Sequence, residues 1–219
     1  MGKPLILINF KTYPEALGNN GILFARKLAA VRTKRYEVAL SPSLLTLPFL
    51  SRQLSFPLFA QHADPFLPGA HTGSISLEEL KGLGIRGTIL NHSEKKVPFS
   101  TLKKTVLRCK KLGLIVVLCA ATVSETKKLL LLKPDYLAYE PKGLISGNIS
   151  VTKARPAIIT AVVELSQKIS PKTKVLCGAG VHSRRDVQRA LELGCQGVLI
   201  SHSIVREKNP QKVLQRLLL

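Results

Sequence analysis

The chain has little with which to stack, chelate or cross a membrane. Its 219 residues include no Trp and one Met, and aromatic residues make up 5% of the total. So thin an aromatic supply leaves poor platforms for stacking single-stranded bases. The four cysteines, Cys109, Cys119, Cys177 and Cys195, form no C-x-x-C pair. That spacing argues against a compact zinc site and against a small secreted disulfide framework, and it predicts buried, reduced thiols. The longest apolar stretch, residues 114–121, falls far short of the roughly 18 residues a spanning helix needs. The first residues carry no signal-peptide pattern, and Ile6 does not suit myristoylation of Gly2. A cytoplasmic protein without membrane association is the expectation.

Acidic residues are scarce too: 13 Asp and Glu stand against 33 Lys and Arg, for a formal net charge of +20. A field of that size attracts anions, nucleic acid among them. The basic residues are nevertheless scattered, mostly as pairs such as Lys95-Lys96, Lys103-Lys104, Lys110-Lys111 and Lys127-Lys128. Pairs of this kind mark solvated helix faces. Surface chemistry is therefore the first reading and steering of an anionic substrate the second, with no specific nucleic-acid partner expected.

What is present is an alternation. Short apolar runs at 5–10, 37–41, 58–61, 88–91, 114–119, 136–140, 174–177 and 197–201 are nearly continuous in Leu, Ile and Val. Strands covered on both faces read this way, which implies a parallel sheet. Between them lie segments with helical spacing at 17–31, 101–112, 154–169 and 184–193, and Pro210 opens a last one. Gly84, Gly113 and Gly194 follow helical patterns just before a strand, as left-handed C-caps do. Eight such units, with no Pro/Ser linker dividing them, predict an α/β fold, a (β/α)₈ barrel forming one domain over residues 1–219.

In this architecture chemistry sits at the C-terminal strand ends. Strand 1 ends Asn9-Phe10-Lys11, and period two places Asn9 and Lys11 on one side. A solvated loop lysine is the plainer alternative. Strand 4 ends Asn91-His92-Ser93-Glu94. Ser93 and Glu94 suit the opening of a short helix, whose positive end would favour a neutral imidazole, and Glu94 is placed to pair with a buried lysine. A structural histidine is the alternative. Strand 6 runs into Glu140-Pro141, and a carboxylate ending an apolar strand is costly unless paired or used. The stretch Pro141, Lys142, Gly143, Leu144, Ile145, Ser146, Gly147, Asn148 suits a lid, against an ordinary surface turn. Strand 7 ends in Gly178-Ala179-Gly180, and strand 8 in Ser201-His202-Ser203. Both offer backbone N–H groups to a phosphate, and the third glycine of a dinucleotide fingerprint is missing.

These segments, with Gln61-His62-Ala63-Asp64 and Gly69-Ala70-His71-Thr72-Gly73, closely resemble triosephosphate isomerases of the compact archaeal form, in order along nearly the whole chain. The resemblance implies interconversion of dihydroxyacetone phosphate and glyceraldehyde 3-phosphate through an enediolate, in glycolysis and gluconeogenesis, with no metal or organic cofactor. It implies Glu140 as the base and a neutral His92 as the proton-relaying electrophile, a pairing this family is known for. Lys11 would supply positive charge, positioned by Asn9 and Glu94. Ile145, Gly178, Ala179, Gly180, Ser201 and His202 would bind substrate with Asn9 and Lys11, while Cys119 packs near the base without acting as a nucleophile. Thr72 would approach a neighbouring subunit's site, implying a homodimer or homotetramer.

The chain departs from that pattern at Ser146 and Asn148 in the lid, at Lys142 after Pro141, and at His202, where a small residue is usual. Those departures and the charge leave one rival reading, a catalytically retired basic barrel that binds RNA or another polyanion.

Overall fold

A computed structural model describes residues 2–141 and 155–219. Eight strands pair in parallel: β1 (Leu5–Asn9), β2 (Glu37–Ser41), β3 (Phe59–Ala60), β4 (Gly87–Leu90), β5 (Ile115–Ala120), β6 (Tyr136–Tyr139), β7 (Lys174–Cys177) and β8 (Gly197–Ile200). Their order, β2-β1-β8-β7-β6-β5-β4-β3, is closed by a parallel bridge between Leu40 and Leu58. The helices are α1 (Gly18–Ala29), α2 (Leu47–Gln53), α3 (Leu77–Gly82), α4 (Phe99–Leu112), α5 (Val123–Leu130), α6 (Pro156–Ile169), α7 (Arg184–Glu192), α8 (His202–Val205) and α9 (Pro210–Leu218). This is the (β/α)₈ barrel expected from the alternating pattern. Among the described residues, no helix is long and apolar enough to cross a membrane.

Alternation along the strands divides the apolar residues into two cores. Leu5, Leu7, Ala39, Phe59, Ile89, Val117, Cys119, Ala138, Leu176 and Leu199 fill the barrel interior. Ile6, Ile8, Leu40, Leu90, Val116, Leu118, Leu137, Val175 and Ile200 pack outward against helices, joined by Phe24, Leu28, Leu102, Val106, Ile159 and Val187. Each fully buried aliphatic side chain contributes about 1.5–3 kcal/mol relative to exposure, and both faces of every strand are occupied. That is why the runs read as unbroken Leu, Ile and Val.

The glycines expected to cap helices adopt left-handed backbone, with φ of 71° at Gly84, 70° at Gly113 and 92° at Gly194. The helix starts are local as well. Ser76 accepts from Glu79 N–H, Thr122 from Glu125 N–H, and Ser183 forms a capping box with Asp186.

The inward period also positions the site. Leu5 and Leu7 are followed two residues on by Asn9, Phe59 by Gln61, Ala138 by Glu140, Leu176 by Gly178 and Leu199 by Ser201, whereas the left-handed backbone at Asn91 breaks the period after Ile89 and His92 takes the place at the mouth. The apolar filling of the barrel thus gives way, at or just past the ends of these strands, to the residues of its C-terminal mouth.

Candidate active site

Asn9, Lys11, His92, Glu140, Gly178, Gly180, Ser201 and His202 line one cavity at that mouth. Val181, His182, Leu199, Ile200 and Ser203 complete its wall. Ala179 is buried and outside the lining, Thr72 stands on an exposed turn, and Glu94 and Cys119 lie behind the wall. Of the expected lid, Pro141 is buried. Lys142, Gly143, Leu144, Ile145, Ser146, Gly147 and Asn148 fall outside the described residues.

Lys11 does not continue the strand, as simple alternation would have it. Its φ of 49° places it in left-handed backbone, and Asn9 Oδ1 accepts its N–H at 3.0 Å. Gln61 Nε2 donates to Lys11 O at 2.9 Å and to Ser41 O at 3.1 Å, tying three strand ends together. The turn still directs the ammonium over the mouth, where Nζ meets Glu94 Oε1 at 2.6 Å. Glu94 itself is more than half exposed, so solvent screens this pair and its effect is mainly to orient Lys11.

No helix opens after His92. Residues 92–95 form a turn, closed by Lys95 N–H donating to His92 O at 2.9 Å. Ser93 and Glu94 are followed by too short a segment before Pro98 for a helix to start there. The imidazole is fixed by a single backbone N–H instead: that of Glu94 donates to His92 Nδ1 at 3.2 Å. A ring nitrogen that accepts carries no proton, so this contact places the ring proton on Nε2. The Glu94 carboxylate also lies 3.5 Å from Nδ1. The backbone contact is shorter, and the carboxylate is already engaged by Lys11. Nε2 faces Glu140 Oε2 at 3.6 Å.

Glu140 is 4% exposed, and its N–H still bonds Ala120 O at 2.8 Å, so the strand frame sets its backbone. Its Oε2 has no hydrogen-bond partner among the described residues, and neither has the buried Ser201 Oγ. Two unpaired polar atoms facing one cavity are costly unless a ligand uses them. Gly178 is shaped around the carboxylate: a Cβ there would fall 2.3 Å from Glu140 Cγ and 3.2 Å from Oε1. Cys119 lies beneath. Burial first, then the charge and a hydrogen bond of Glu140, push its thiol well above the usual range. Burial likewise raises Cys109 and Cys177 to about 12. All four cysteines are free and buried.

Across the cavity, His202 begins α8 and meets the Tyr13 ring edge-on at 6.3 Å between centroids. Ser203 Oγ donates to Val181 O at 2.7 Å, joining the loops after β7 and β8. Tyr13 also lies near Lys11 Nζ and the Arg206 guanidinium, each 6.0 Å from its centroid. The sequence offered Gln61 as a motif member, without a role for it. The inward step from Phe59 was the signal that could have assigned Gln61 to the mouth.

Fold and site together define a barrel enzyme of the general acid–base type: a carboxylate, an imidazole and an ammonium converge on one cavity beyond the strand ends. A family model described as triosephosphate isomerase matches residues 4–217. The chain is 37% identical over 215 residues to the triosephosphate isomerase of Methanocaldococcus jannaschii, covering 98% of each chain. It is 36% identical over 220 residues to that of Methanothermus fervidus, covering 100% of this chain and 99% of the relative. With the Thermoplasma volcanium protein of the same name it shares 37% over 213 residues, 97% and 98% of the two chains. The chain belongs to the triosephosphate isomerase family.

Proposed function

We propose that this protein interconverts dihydroxyacetone phosphate and D-glyceraldehyde 3-phosphate, serving glycolysis and gluconeogenesis in the cytoplasm. The observation that carries the reading is the convergence of Lys11, His92 and Glu140 on a single cavity in a chain of this family. Glu140, on the cavity floor, takes a proton from the carbon beside the substrate carbonyl and returns it to the neighbouring carbon. His92 directs Nε2–H at the developing oxyanion, and Lys11 adds a fixed positive charge. Preorganised groups of this kind stabilise the transition state without having to reorient during the reaction. Backbone N–H groups at Gly178, Ala179, Gly180, Ser201 and His202 hold the phosphate, with Asn9 shaping the Lys11 turn. Residues 141–148, Ile145 among them, close over the substrate and keep water from the enediolate.

The same reading makes residues 1–219 one domain and the protein a homodimer or homotetramer, with Thr72 approaching a neighbour's cavity. Cys119 supports the base as a packed neutral thiol, and no metal or organic cofactor takes part. Nothing in the fold or the cavity favours the rival reading of a retired polyanion-binding barrel. A coupled assay on purified protein tests the proposal. Robust isomerisation is expected, with Glu140→Asp lowering kcat by a factor on the order of 100 or more. Background-level turnover in the wild type, or an unaffected variant, refutes it.

A further inference from the structure

His92 owes its aim to the residue before it. Asn91 directly follows β4 and carries a φ of 59°, a left-handed conformation that asparagine tolerates better than most side chains. Its buried side chain spans two elements. Nδ2 donates to Cys119 O on β5 at 2.9 Å and to Glu125 Oε1 on α5 at 2.8 Å, while Oδ1 accepts Val97 N–H at 3.1 Å. Every bonding atom of that amide is engaged, apart from the second lone pair of Oδ1.

Glu125 is the hub of the arrangement. It also accepts Ala121 N–H at 2.8 Å and Lys96 Nζ at 2.7 Å. Lys96 Nζ reaches back to Asn91 O at 3.3 Å, the carbonyl of the peptide leading into His92. The peptide is thus gripped through both its side chain and its carbonyl. Asn91, Lys96 and Glu125 are absent from the wall of the substrate cavity, so the network meets no reacting atom. It joins β4, which carries the imidazole, to β5, whose Cys119 packs under Glu140.

We propose that Asn91, Glu125 and Lys96 form a clamp that positions the His92 imidazole against Glu140, making them positioning residues for the isomerisation. The inference rests on the proposed function for its kinetic consequence, but the clamp itself has a readout that needs no activity. Preorganisation is sensitive to displacement: a shift of about 1 Å in a reacting group can cost on the order of 100-fold in rate.

Asn91→Gly is the sharpest variant, because glycine accepts the left-handed backbone freely and removes only the amide. Its kcat should fall about tenfold or more, with KM for the triose phosphate within about twofold. Glu125→Gln keeps an acceptor oxygen for Asn91 and Lys96, so it should retain more kcat than Glu125→Ala. ¹⁵N NMR of the His92 ring supplies the independent readout. The wild type should show one protonated and one bare nitrogen, and Asn91→Gly should draw the two shifts together as the ring exchanges tautomers. A folded Asn91→Gly with kcat within twofold of wild type overturns the proposal. So does equal loss in Glu125→Gln and Glu125→Ala, or a wild-type spectrum already averaged. If the wild type isomerises nothing but shows the fixed tautomer and its loss in Asn91→Gly, the functional reading fails and the clamp stands.

Discussion

The two sides of the cavity are built differently. On the side of Lys11, His92 and Glu140, the polar groups are braced from other strands. The Lys11 turn leans on Asn9 and Gln61, its ammonium on Glu94, and the His92 ring on a backbone N–H. On the side of Gly178, Gly180, Ser201 and His202, such braces are fewer among the described residues, although Asp186 accepts the N–H groups of His182 and Ser183 further along the loop after β7. Ser203 Oγ ties the two loops through Val181 O, while Ser201 Oγ has no partner among the described residues. Under the proposed function, the contrast follows from what each side is asked to do. Reacting atoms must be held to a fraction of an ångström, which takes side chains locked by a second layer. A phosphate can be held by main-chain N–H groups, whose directions the fold sets, so side chains there are freer to vary. This accounts for where the chain departs from its family pattern: His202 lies on the lightly braced side, while Lys11, His92 and Glu140 are all in place.

Gly178 is where the two sides touch, and it offers the strongest way to break the distinction. A methyl group there would overlap Glu140 Cγ at 2.3 Å, and the buried carboxylate has little room to retreat. Gly178→Ala should therefore act as a lesion of the base although it sits on the opposite loop. We expect kcat to fall on the order of 100-fold, with a much smaller change in KM, measured by the coupled assay in both directions. A variant that loses substrate affinity and keeps its kcat would show that Gly178 belongs to the anion side alone.

His202 sharpens the contrast from the other side. Its ring is partly exposed, lines the cavity and rests edge-on against Tyr13 without, among the described residues, a bracing hydrogen bond. If side chains on this side are dispensable, His202→Ser should leave kcat unchanged. KM should then move by about two- to tenfold, the equivalent of one solvent-exposed hydrogen bond. A fall in kcat comparable to that of Gly178→Ala would mean that His202 takes part in orienting the reacting atoms, and the division would not hold.

Much of the barrel was legible in the sequence because its physical requirements are local. Two-sided burial writes unbroken Leu, Ile and Val into each strand, and left-handed C-caps write glycine at positions 84, 113 and 194. The groups proposed to react were legible for a related reason, since a lone carboxylate or histidine after an apolar run is conspicuous. The bracing layer was much less so. Lys96 looks like half of a solvated basic pair, and Glu125 like an acidic residue in the first turn of α5. Their partnership depends on β4 and β5 lying side by side, which only closure of the barrel provides. The helix expected at Ser93 failed for a local reason, the short segment before Pro98. Its N–H groups were read as a local signal, whereas the ring is held by one of them across a tight turn.

The smallest expected effect concerns that bracing layer and is seen in stability. Burial opposes ionisation of Glu125, but hydrogen bonds from Ala121 N–H, Lys96 and Asn91, together with the Lys96 charge, outweigh it and hold its carboxyl below the usual value. The folded protein then binds fewer protons at this site than the unfolded chain. Its contribution is present above the ordinary glutamate pKa of about 4.3 and is lost as pH falls through the lower folded value. Wild type should thus be more stable than Glu125→Gln at pH 7, and the gap should narrow on acidification below about 4.3. Denaturant unfolding of the two proteins at pH 7 and at pH 3 to 4 measures it. Because Glu125 is partly exposed, the difference should be modest and should shrink in salt. A gap that stays constant with pH would mean that the carboxylate braces the site by shape and hydrogen bonding alone. The chemistry side would then depend on packed neutral contacts, and the charge on Lys96 would be as incidental to it as the other lysines on the surface.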